Sequence, residues 1–173
     1  MNEPIYDKTI FRNALTAFLR GEKLQHEEAI KAVERWMDSG KESLLLMGRV
    51  GTGKTTIASA LRCAWAHYLS VSRIYKCDWI ALQVEADKSW IQEVGNNSGL
   101  LILDDLGTEK KVYGEEVIPA IIYMRDARRQ PTAITTNLNF DQIRARYGER
   151  IADRLRTWSK VVMDYGSLRK TAQ

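Results

Sequence analysis

The stretch from residue 43 to residue 69, SLLLMGRVGTGKTTIASALRCAWAHYL, combines three patterns. Its first six residues are an apolar run that ends in glycine, which is typical of a buried parallel strand. Residues 55–69 have the apolar spacing of a helix. The turn between them, residues 48–56, matches the pattern G-x-x-x-x-G-K-[ST], which binds phosphate when a strand precedes it and a helix follows. The stretch therefore predicts a strand, a phosphate-binding loop and a helix.

The residue types of this loop suit a nucleotide and a magnesium ion. Because they lack a Cβ atom, Gly51 and Gly53 allow backbone N–H groups to turn toward phosphate oxygens. The Lys54 ammonium can reach the β- and γ-phosphates of ATP, and the Thr55 hydroxyl can ligate Mg²⁺. The alternative is a glycine-rich turn with an incidental lysine. The predicted nucleotide-binding residues of the loop are Gly48, Val50, Gly51, Thr52, Gly53, Lys54, Thr55 and Thr56.

Strand-like and helix-like segments alternate over the rest of the chain. The predicted strands after the loop are residues 73–77, 99–107, 131–137 and 159–165. The predicted helices are residues 78–94, 114–130 and 139–158, and residues 1–40 read as two short amphipathic helices that stop at Gly21 and Gly40. Such alternation favours a three-layer α/β fold with a parallel sheet of roughly five strands and helices on both faces, as in P-loop NTPases. We expect residues 1–40 to form a helical N-terminal segment and residues 41–173 the catalytic core.

Composition excludes several other classes of protein. The 173 residues, with 45% hydrophobic and 28% charged residues, suit one globular domain rather than a disordered chain. A net charge of +4 permits a polyanionic partner without requiring one. Cys63 and Cys77 lack the spacing of a metal site. The N-terminal residues lack the pattern of a signal peptide, and no apolar run is long enough to span a membrane, so we expect a cytoplasmic protein.

Two adjacent carboxylates follow the second buried apolar run, LLILDDLG (100–107). Ligands of open α/β sheets bind at the carboxyl ends of the strands, which is where Asp104 and Asp105 are predicted to lie. We expect Asp104 to hold Mg²⁺ through water, opposite Thr55, and Asp105 to polarise an attacking water molecule. The alternative is an exposed acidic turn.

Further polar residues follow the third buried run. Asn137 ends the strand that contains TTN (135–137), where its amide could reach a γ-phosphate or a water molecule; an isolated asparagine is more often a turn or capping residue. In the helix predicted over residues 139–158, Arg146, Arg150 and Arg154 are four residues apart and would share one face. The alternative for these arginines is a solvated helix in which they pair with Glu149 and Asp153.

The motifs occur in the order GRVGTGKTT, LLILDDLG, TTN, YGERIADRL (147–155) and YGSLR (165–169). In this order they resemble the AAA+ core of the DnaC/DnaI helicase loaders and the related IstB transposition helper ATPases, over about residues 40 to 169. The resemblance implies that Asn137 is the sensor 1 residue and Arg169 the sensor 2 arginine. It also implies that Arg150 or Arg154 reaches the ATP of a neighbouring subunit as an arginine finger. Arg146 and Arg156 remain as ordinary basic surface.

The resemblance also implies a function. We expect a slow, Mg²⁺-dependent ATPase that binds ATP and ADP, forms a homo-oligomer and assists a replicative helicase or another DNA-replication protein. The loop EKKVYG (109–114) offers Lys110, Lys111 and Tyr113 to single-stranded DNA, although it could equally be an ordinary flexible loop. A second basic cluster is MRDARR (124–129). The alternatives are an IstB-like transposition helper, a P-loop small-molecule kinase and a module that binds nucleotide without hydrolysing it.

Overall fold

A five-stranded parallel sheet forms the centre of the protein. The computed structural model describes residues 6–19, 27–40, 43–65 and 71–164. The strands are β1 (Ser43–Gly48), β2 (Arg73–Lys76), β3 (Leu101–Leu106), β4 (Thr132–Thr136) and β5 (Ser159–Met163). They lie in the order β2-β3-β4-β1-β5, and all four neighbouring pairs are parallel. The carboxyl ends of all five strands therefore meet at one edge of the sheet.

Helices cover both faces of this sheet. They are α1 (Lys8–Leu19), α2 (Glu27–Asp38), α3 (Lys54–Ala64), α4 (Cys77–Ala86), α5 (Trp90–Asn96), α6 (Ile118–Ala127), α7 (Phe140–Tyr147) and α8 (Glu149–Thr157). Two separate hydrophobic clusters result, one on each face: α4 to α8 contribute to the first, and α1, α2 and α3 to the second. The three-layer α/β P-loop fold that the sequence predicts is confirmed.

The helices before β1 pack against the same core as α3. Their buried side chains are Phe11, Leu15, Ala29, Ile30, Val33, Trp36 and Met37. Trp36 also donates a 3.1 Å hydrogen bond from its indole nitrogen to the carbonyl oxygen of Ser43, at the start of β1. The guanidinium of Arg12 lies 2.6 Å from the carboxylate of Glu34, which ties α1 to α2. Apolar burial and the Trp36 hydrogen bond thus join these helices to the sheet, and ion pairs join the two helices to each other.

Two predicted helices are shorter than the sequence pattern suggests. The helix expected over residues 78–94 is wrong as a single element: it begins at Cys77, ends at Ala86, and a turn separates it from α5. In that turn the Asp87 carboxylate accepts the N–H of Ser89 at 2.8 Å, a local contact that competes with the helical pattern. The helix expected over residues 114–130 begins only at Ile118, because Val112 and Glu115 close a tight hairpin turn before it.

The helix predicted over residues 139–158 is two helices that meet at Gly148. Gly148 has φ 86° and ψ 166°, a conformation that is essentially restricted to glycine and ends α7. The asparagine before α7, Asn139, forms a reciprocal capping box with Gln142, so α7 has its own start as well. The prediction that Arg146 shares a helix face with Arg150 and Arg154 is therefore wrong. Among the helices of the described ranges, none is long and apolar enough to cross a membrane.

Candidate nucleotide-binding site

The motifs of β1, β3 and β4 meet at the carboxyl edge of the sheet. Since β4 lies between β3 and β1, the aspartate pair and Asn137 come next to the phosphate loop. A cavity of about 290 Å³ opens there. Its lining residues are Val50, Gly51, Gly53, Lys54, Thr55, Thr56, Asp105, Thr108 and Asn137.

The loop is shaped by close packing at its first glycine. A Cβ atom on Gly48 would lie 2.2 Å from the carbonyl oxygen of Met163 on β5, so no larger residue fits without moving that strand. At the other end, Gly53 adopts φ 89° and leads directly into α3, which begins at Lys54. Between them the hydroxyl of the buried Thr52 donates to the carbonyl of Arg49 at 3.0 Å. The loop is therefore closed by its own contacts, with the start of α3 pointing into the cavity.

Lys54 is the central cation of the site. Its Nζ donates hydrogen bonds of 2.8 Å to the carbonyl of Gly48, 2.7 Å to the carbonyl of Arg49 and 2.7 Å to Oδ1 of Asn137. Burial lowers the pKa of this ammonium, and the carboxylates of Asp105 and Asp104 partly oppose that effect. The side chain is thus extended across the loop toward β4, where phosphate oxygens could compete for its protons.

The two aspartates of β3 have different surroundings. Asp104 is buried, and its two carboxylate oxygens lie 3.0 and 3.2 Å from the hydroxyl of Thr55. Asp105 lines the cavity and has a positive φ of 58°. Burial raises the pKa of Asp105, and the charge of Asp104 adds to the rise. The structure therefore brings Thr55 to Asp104, as expected, and leaves Asp105 accessible from the cavity.

The predicted nucleotide-binding residues that remain to be placed are Gly48, Thr52 and Arg169. Gly48 and Thr52 shape the loop from behind the cavity lining. Arg169 lies outside the residues that the structure describes, and so does the whole YGSLR motif. Thr108, which lines the cavity beside Asp105, was not predicted; its hydroxyl donates to the carbonyl of Asp105 at 2.8 Å.

The two arginines proposed for a neighbouring subunit differ in their contacts. Arg154 forms an ion pair with Asp126 and its guanidinium carbon lies 4.9 Å from the centre of the Tyr123 ring. Arg150 is exposed, and no hydrogen bond or ion pair joins its side chain to any other residue that the structure describes. Neither arginine lines the cavity of its own subunit.

The alternative in which these arginines pair with Glu149 or Asp153 is wrong. Glu149 pairs instead with Arg144 at 2.9 Å and with Arg156 at 3.2 Å, and Asp153 pairs with Arg156 at 2.6 Å. The break at Gly148 changes the relative directions of α7 and α8, so spacing along one continuous helix could not predict these pairs.

Arg146 is not ordinary surface, which corrects the sequence prediction. Its guanidinium donates to the backbone carbonyls of Gly107 and Glu109, just beyond the aspartate pair. It also lies 3.5 Å from the carboxylate of Glu109, which is almost fully buried and accepts the hydroxyl hydrogen of Tyr147. The loop that follows β3 is thereby anchored to α7.

The anchored loop exposes the residues that were predicted to contact DNA. Lys110 and Lys111 are exposed, and Tyr113 is 71% exposed. Val112 and Glu115 exchange backbone hydrogen bonds around Tyr113 and Gly114, both of which have positive φ, as in a tight hairpin turn. The amine of Lys88 lies 4.9 Å from the centre of the Tyr113 ring. The two amines and the aromatic ring are thus on the surface beside a further amine.

The second basic cluster predicted, MRDARR, is wrong as a uniform basic surface. Arg125 is completely buried and donates to the carbonyls of Asn97, Gly99 and Pro131. Its Nε donates to the hydroxyl of Thr132 at 2.9 Å, and burial lowers its pKa to about 10. Arg128 and Arg129 remain as the exposed basic residues of that segment.

Sequence reasoning missed the polar side chains that support the site from within. Thr135 contacts the aspartate strand, and Glu109, Tyr147 and Arg146 hold the loop that follows it. For Thr135 a signal existed, since a hydroxyl in the middle of a buried strand requires a partner. For Glu109 no local signal existed, because EKK has the composition of an exposed loop.

The sequence is similar to one family model and to a curated helicase loader. A family model described as Parvovirus non-structural protein NS1 matches residues 1–79, less than half of the chain. The replicative helicase loader DnaC of Escherichia coli (strain K12) is 28% identical over 144 residues, which cover 76% of this chain and 58% of that protein. This chain therefore spans less than two thirds of the relative that it matches.

Two solved structures share the fold. The crystal structure of the DnaC helicase loader has a TM-score of 0.70 at 20% identity and covers 90% of this chain and 98% of that one. The crystal structure of DnaI has a TM-score of 0.67 at 24% identity and covers 94% of both chains. The sheet order and the phosphate loop after the interior strand β1 agree with these similarities, so the core is similar to that of the DnaC and DnaI helicase loaders and shares their fold.

Proposed function

We propose that this chain is an ATP-binding and ATP-hydrolysing accessory protein of DNA replication, of the helicase-loader type, that works in the cytoplasm. The observation that carries the proposal is the meeting of the phosphate loop, the aspartate pair and Asn137 at one edge of the sheet. This set supplies a phosphate-binding cation, a hydroxyl and a carboxylate for a metal, and a second carboxylate for water, which is what ATP hydrolysis requires. The likeness to DnaC, named a replicative helicase loader, supports the choice of DNA replication.

The oxygen donors of the site fit a magnesium ion. Thr55 and Asp104 offer hard oxygen ligands within 3.0 Å of each other. Over the described ranges of the chain, no group of three or more His, Cys, Asp or Glu side chains converges as a separate metal site. A hydroxyl and a carboxylate suit Mg²⁺, which keeps several waters and takes phosphate oxygens as its other ligands. We propose that Thr55 and Asp104 hold the ion, which when bound would neutralise phosphate charge, and that Asp105 polarises the attacking water.

Turnover would depend on assembly through Arg150. Arginine remains charged at every working pH and its fork matches phosphate oxygens, so a free arginine at the surface suits the nucleotide of a second copy. Arg150 meets this condition, whereas Arg154 is engaged by Asp126 and Tyr123. We therefore propose Arg150 as the finger that reaches the neighbouring subunit, and Arg154 as the residue that holds α8 against α6.

A mixing experiment tests the site and the finger together. Lys54→Ala should lose ATP binding, and Arg150→Ala should bind ATP but lose turnover by about a hundredfold or more. In an equimolar mixture, a Lys54→Ala subunit can lend its intact Arg150 to the intact nucleotide site of an Arg150→Ala subunit. The mixture should therefore hydrolyse ATP although neither variant does so alone. Arg156→Ala, on the same helix, is the matched control and should behave as the parent.

The parent rate per subunit should also rise with protein concentration. A rate that is independent of concentration, with Arg150→Ala as active as the parent, would refute the trans arginine. Phosphoryl transfer to a nucleoside instead of water would favour the kinase alternative, and a preference for duplex over single-stranded DNA would favour the transposition helper.

Single-stranded DNA is the proposed nucleic-acid partner, held by the loop after β3. Lys110 and Lys111 would pair with phosphates, and Tyr113 would stack on a base beside Lys88. The double change Lys110→Ala/Lys111→Ala should weaken binding of a labelled oligothymidine and reduce the slope of log K against log salt by about 0.7 for each phosphate that is no longer neutralised. Lys31→Ala on α2 is the control, since Lys31 is an exposed lysine whose ion pair in the described structure, with Glu28, lies within its own helix. An unchanged slope would show that this loop does not bind the DNA.

The remaining assignments follow from the type of core. We propose residues 41–173 as the ATPase core and residues 1–40 as a short helical N-terminal segment. A replicative helicase is the proposed protein partner, Asn137 the proposed sensor 1 residue, and Arg169 the proposed sensor 2 arginine. A failure to co-purify with a replicative helicase in the presence of ATP would argue against this partner.

A further inference from the structure

One buried hydroxyl lies between the two aspartates of β3. Thr135, on the neighbouring strand β4, is completely buried. Its Oγ1 accepts the backbone N–H of Asp105 at 2.8 Å and lies 2.7 Å from Oδ1 of Asp104. A hydroxyl has a single hydrogen and a carboxylate has none to give at neutral pH, so Thr135 donates to Asp104 while it accepts from Asp105. The Thr135 side chain thus contacts both aspartates, as a donor to the carboxylate of Asp104 and as an acceptor from the backbone of Asp105.

The hydroxyl stands where the sheet is irregular. The β3–β4 ladder is regular up to Leu103 and resumes at Leu106, which pairs with Thr136, so Asp104 and Asp105 both face Thr135. Such a bulge leaves a backbone group without its ladder partner. Here the N–H of Asp105 takes the Thr135 oxygen instead, and Asp105 adopts its positive φ of 58°.

The same hydroxyl fixes the carboxylate of Asp104. Oδ1 of Asp104 receives Thr135 from one side and Thr55 from the other, at 2.7 and 3.0 Å. Two donors on one oxygen of a buried carboxylate leave it little rotational freedom. Thr135 does not line the cavity, so it would act only through the aspartates.

We infer that Thr135 is a positioning residue: it orients Asp104 toward Thr55 and holds Asp105 in the conformation that presents its carboxylate to the cavity. This inference rests on the proposed ATPase function. Groups that orient a metal-binding side chain change metal affinity or activity by about tenfold to a hundredfold when they are removed. Loss of the Thr135 hydroxyl should therefore alter how Mg²⁺ strengthens ATP binding, in addition to turnover.

The neighbouring residue offers a matched control. Thr136 is also completely buried; its hydroxyl donates to the carbonyl of Leu106 at 2.8 Å and accepts the N–H of Leu138 at 3.1 Å. Thr136→Val removes an equally buried hydroxyl from the same strand without touching either aspartate. Thr135→Val keeps the shape of the side chain and removes the hydroxyl, and Thr135→Ser keeps the hydroxyl and removes a methyl group.

The experiment measures three quantities for the parent and these three variants. They are the Kd of ATP with and without Mg²⁺ by calorimetry, kcat and KM for ATP, and the thermal midpoint in the absence of nucleotide. Thr135→Val should lower kcat and the gain in ATP affinity due to Mg²⁺ by about tenfold or more, with the Mg²⁺-free Kd within about threefold of the parent. Thr135→Ser should recover most of both losses, and Thr136→Val should lose thermal stability but keep both.

Other results would overturn the inference or the proposed function separately. Equal losses in Thr135→Val and Thr136→Val would mean that the hydroxyl serves folding alone. No recovery in Thr135→Ser would mean that the hydroxyl is not the group that the site requires. A parent that binds Mg²⁺-ATP without hydrolysing it would contradict the proposed hydrolysis, while the Mg²⁺ gain in Thr135→Val would still decide the role of Thr135. A parent that binds no ATP would overturn both.

Discussion

The Nζ atom of Lys54 donates a 2.7 Å hydrogen bond to Oδ1 of Asn137, which is 83 residues away in the sequence. This bond joins the first residue of α3, just after the phosphate loop, to the residue that follows β4. It also gives the two residues opposite expected effects on ATP, because one of them would bind phosphate and the other competes for the same ammonium.

Lys54→Ala should therefore lose affinity for ATP, and Asn137→Ala should not. Without the amide, the Lys54 ammonium is released from one of its three acceptors. We expect Asn137→Ala to bind ATP as tightly as the parent or more tightly, while its kcat falls by roughly a hundredfold, as when one stabilising group is removed from a transition state. Calorimetry and steady-state kinetics measure the two effects. Weaker ATP binding in Asn137→Ala would contradict this account of the pair.

Asp105→Asn should stabilise the fold while it abolishes turnover. Burial and the charge of Asp104 raise the pKa of Asp105 above its ordinary value of 3.8, so the folded state binds this proton more tightly than the unfolded state does. Stability then falls as the pH rises from about the ordinary pKa through the raised one, and the ionised carboxylate is a cost at neutral pH. The amide removes that cost.

Thermal midpoints measured from pH 4 to pH 8 test this prediction. The advantage of Asp105→Asn over the parent should be largest at pH 7 to 8 and should shrink as the parent's Asp105 becomes protonated. Asp87→Asn is a control in which the pKa shift has the opposite sign, because the N–H of Ser89 lowers the pKa of Asp87. Its stability at neutral pH should not rise. An Asp105→Asn midpoint below that of the parent throughout would show that the carboxylate is favourable where it lies.

Arg125 should be among the most sensitive positions for stability. Removing its side chain leaves the carbonyls of Asn97, Gly99 and Pro131 without their donor inside the protein. Because each buried unpaired group is costly, Arg125→Ala should lower the free energy of unfolding by about 3 kcal/mol or more, measured by urea denaturation. Arg128→Ala, three residues on and exposed, should change it by no more than about 0.5 kcal/mol. Equal effects of the two variants would contradict the burial of Arg125.

Loss of Arg146 should loosen the loop after β3. Trypsin can cut after Lys110 or Lys111. The loop is held just before these lysines by the contact of Arg146 with the carbonyl of Glu109, and just after them by the hairpin that begins at Val112. If the contacts of Arg146 contribute about 1.4 kcal/mol to local stability, cleavage at these lysines should become about tenfold faster in Arg146→Ala. Mass spectrometry of early fragments identifies the sites. Arg144→Ala, an exposed arginine of the same helix, should be cut at the parent rate, and an unchanged rate in Arg146→Ala would remove its role as an anchor.

The strands and the phosphate loop could be predicted because their signals are local. An apolar run that ends in glycine or in two aspartates fixes both the burial of a strand and the position of its carboxyl end. The sequence also contains Gly148, but because the apolar spacing continues on both sides of this glycine, the pattern predicts one helix instead of α7 and α8. A glycine within a helical pattern is compatible with either outcome until its backbone angles are known.

The partners of charged side chains could not be predicted in the same way. Arg125 stands in a segment that is basic in composition, and only the packing of α6 on β4 reveals that its guanidinium serves backbone carbonyls. Arg154 and Asp126 are 28 residues apart, and Glu109 and Tyr147 are 38 residues apart, so neither contact has a sequence signature. These pairs depend on tertiary structure, which spacing along a helix does not describe.

The strand order has a consequence for how the protein is made. The two neighbours of β1 in the sheet are β4 and β5, which follow it by roughly 90 and 115 residues, so the contacts that frame the phosphate loop are among the most distant in the chain. Gly48 also needs Met163 of β5 as its packing partner. During synthesis on the ribosome, β1 emerges long before either neighbour. Capacity to hold nucleotide therefore arises only when the sheet is nearly complete, and a nascent chain that ends before β4 has the loop sequence without the site.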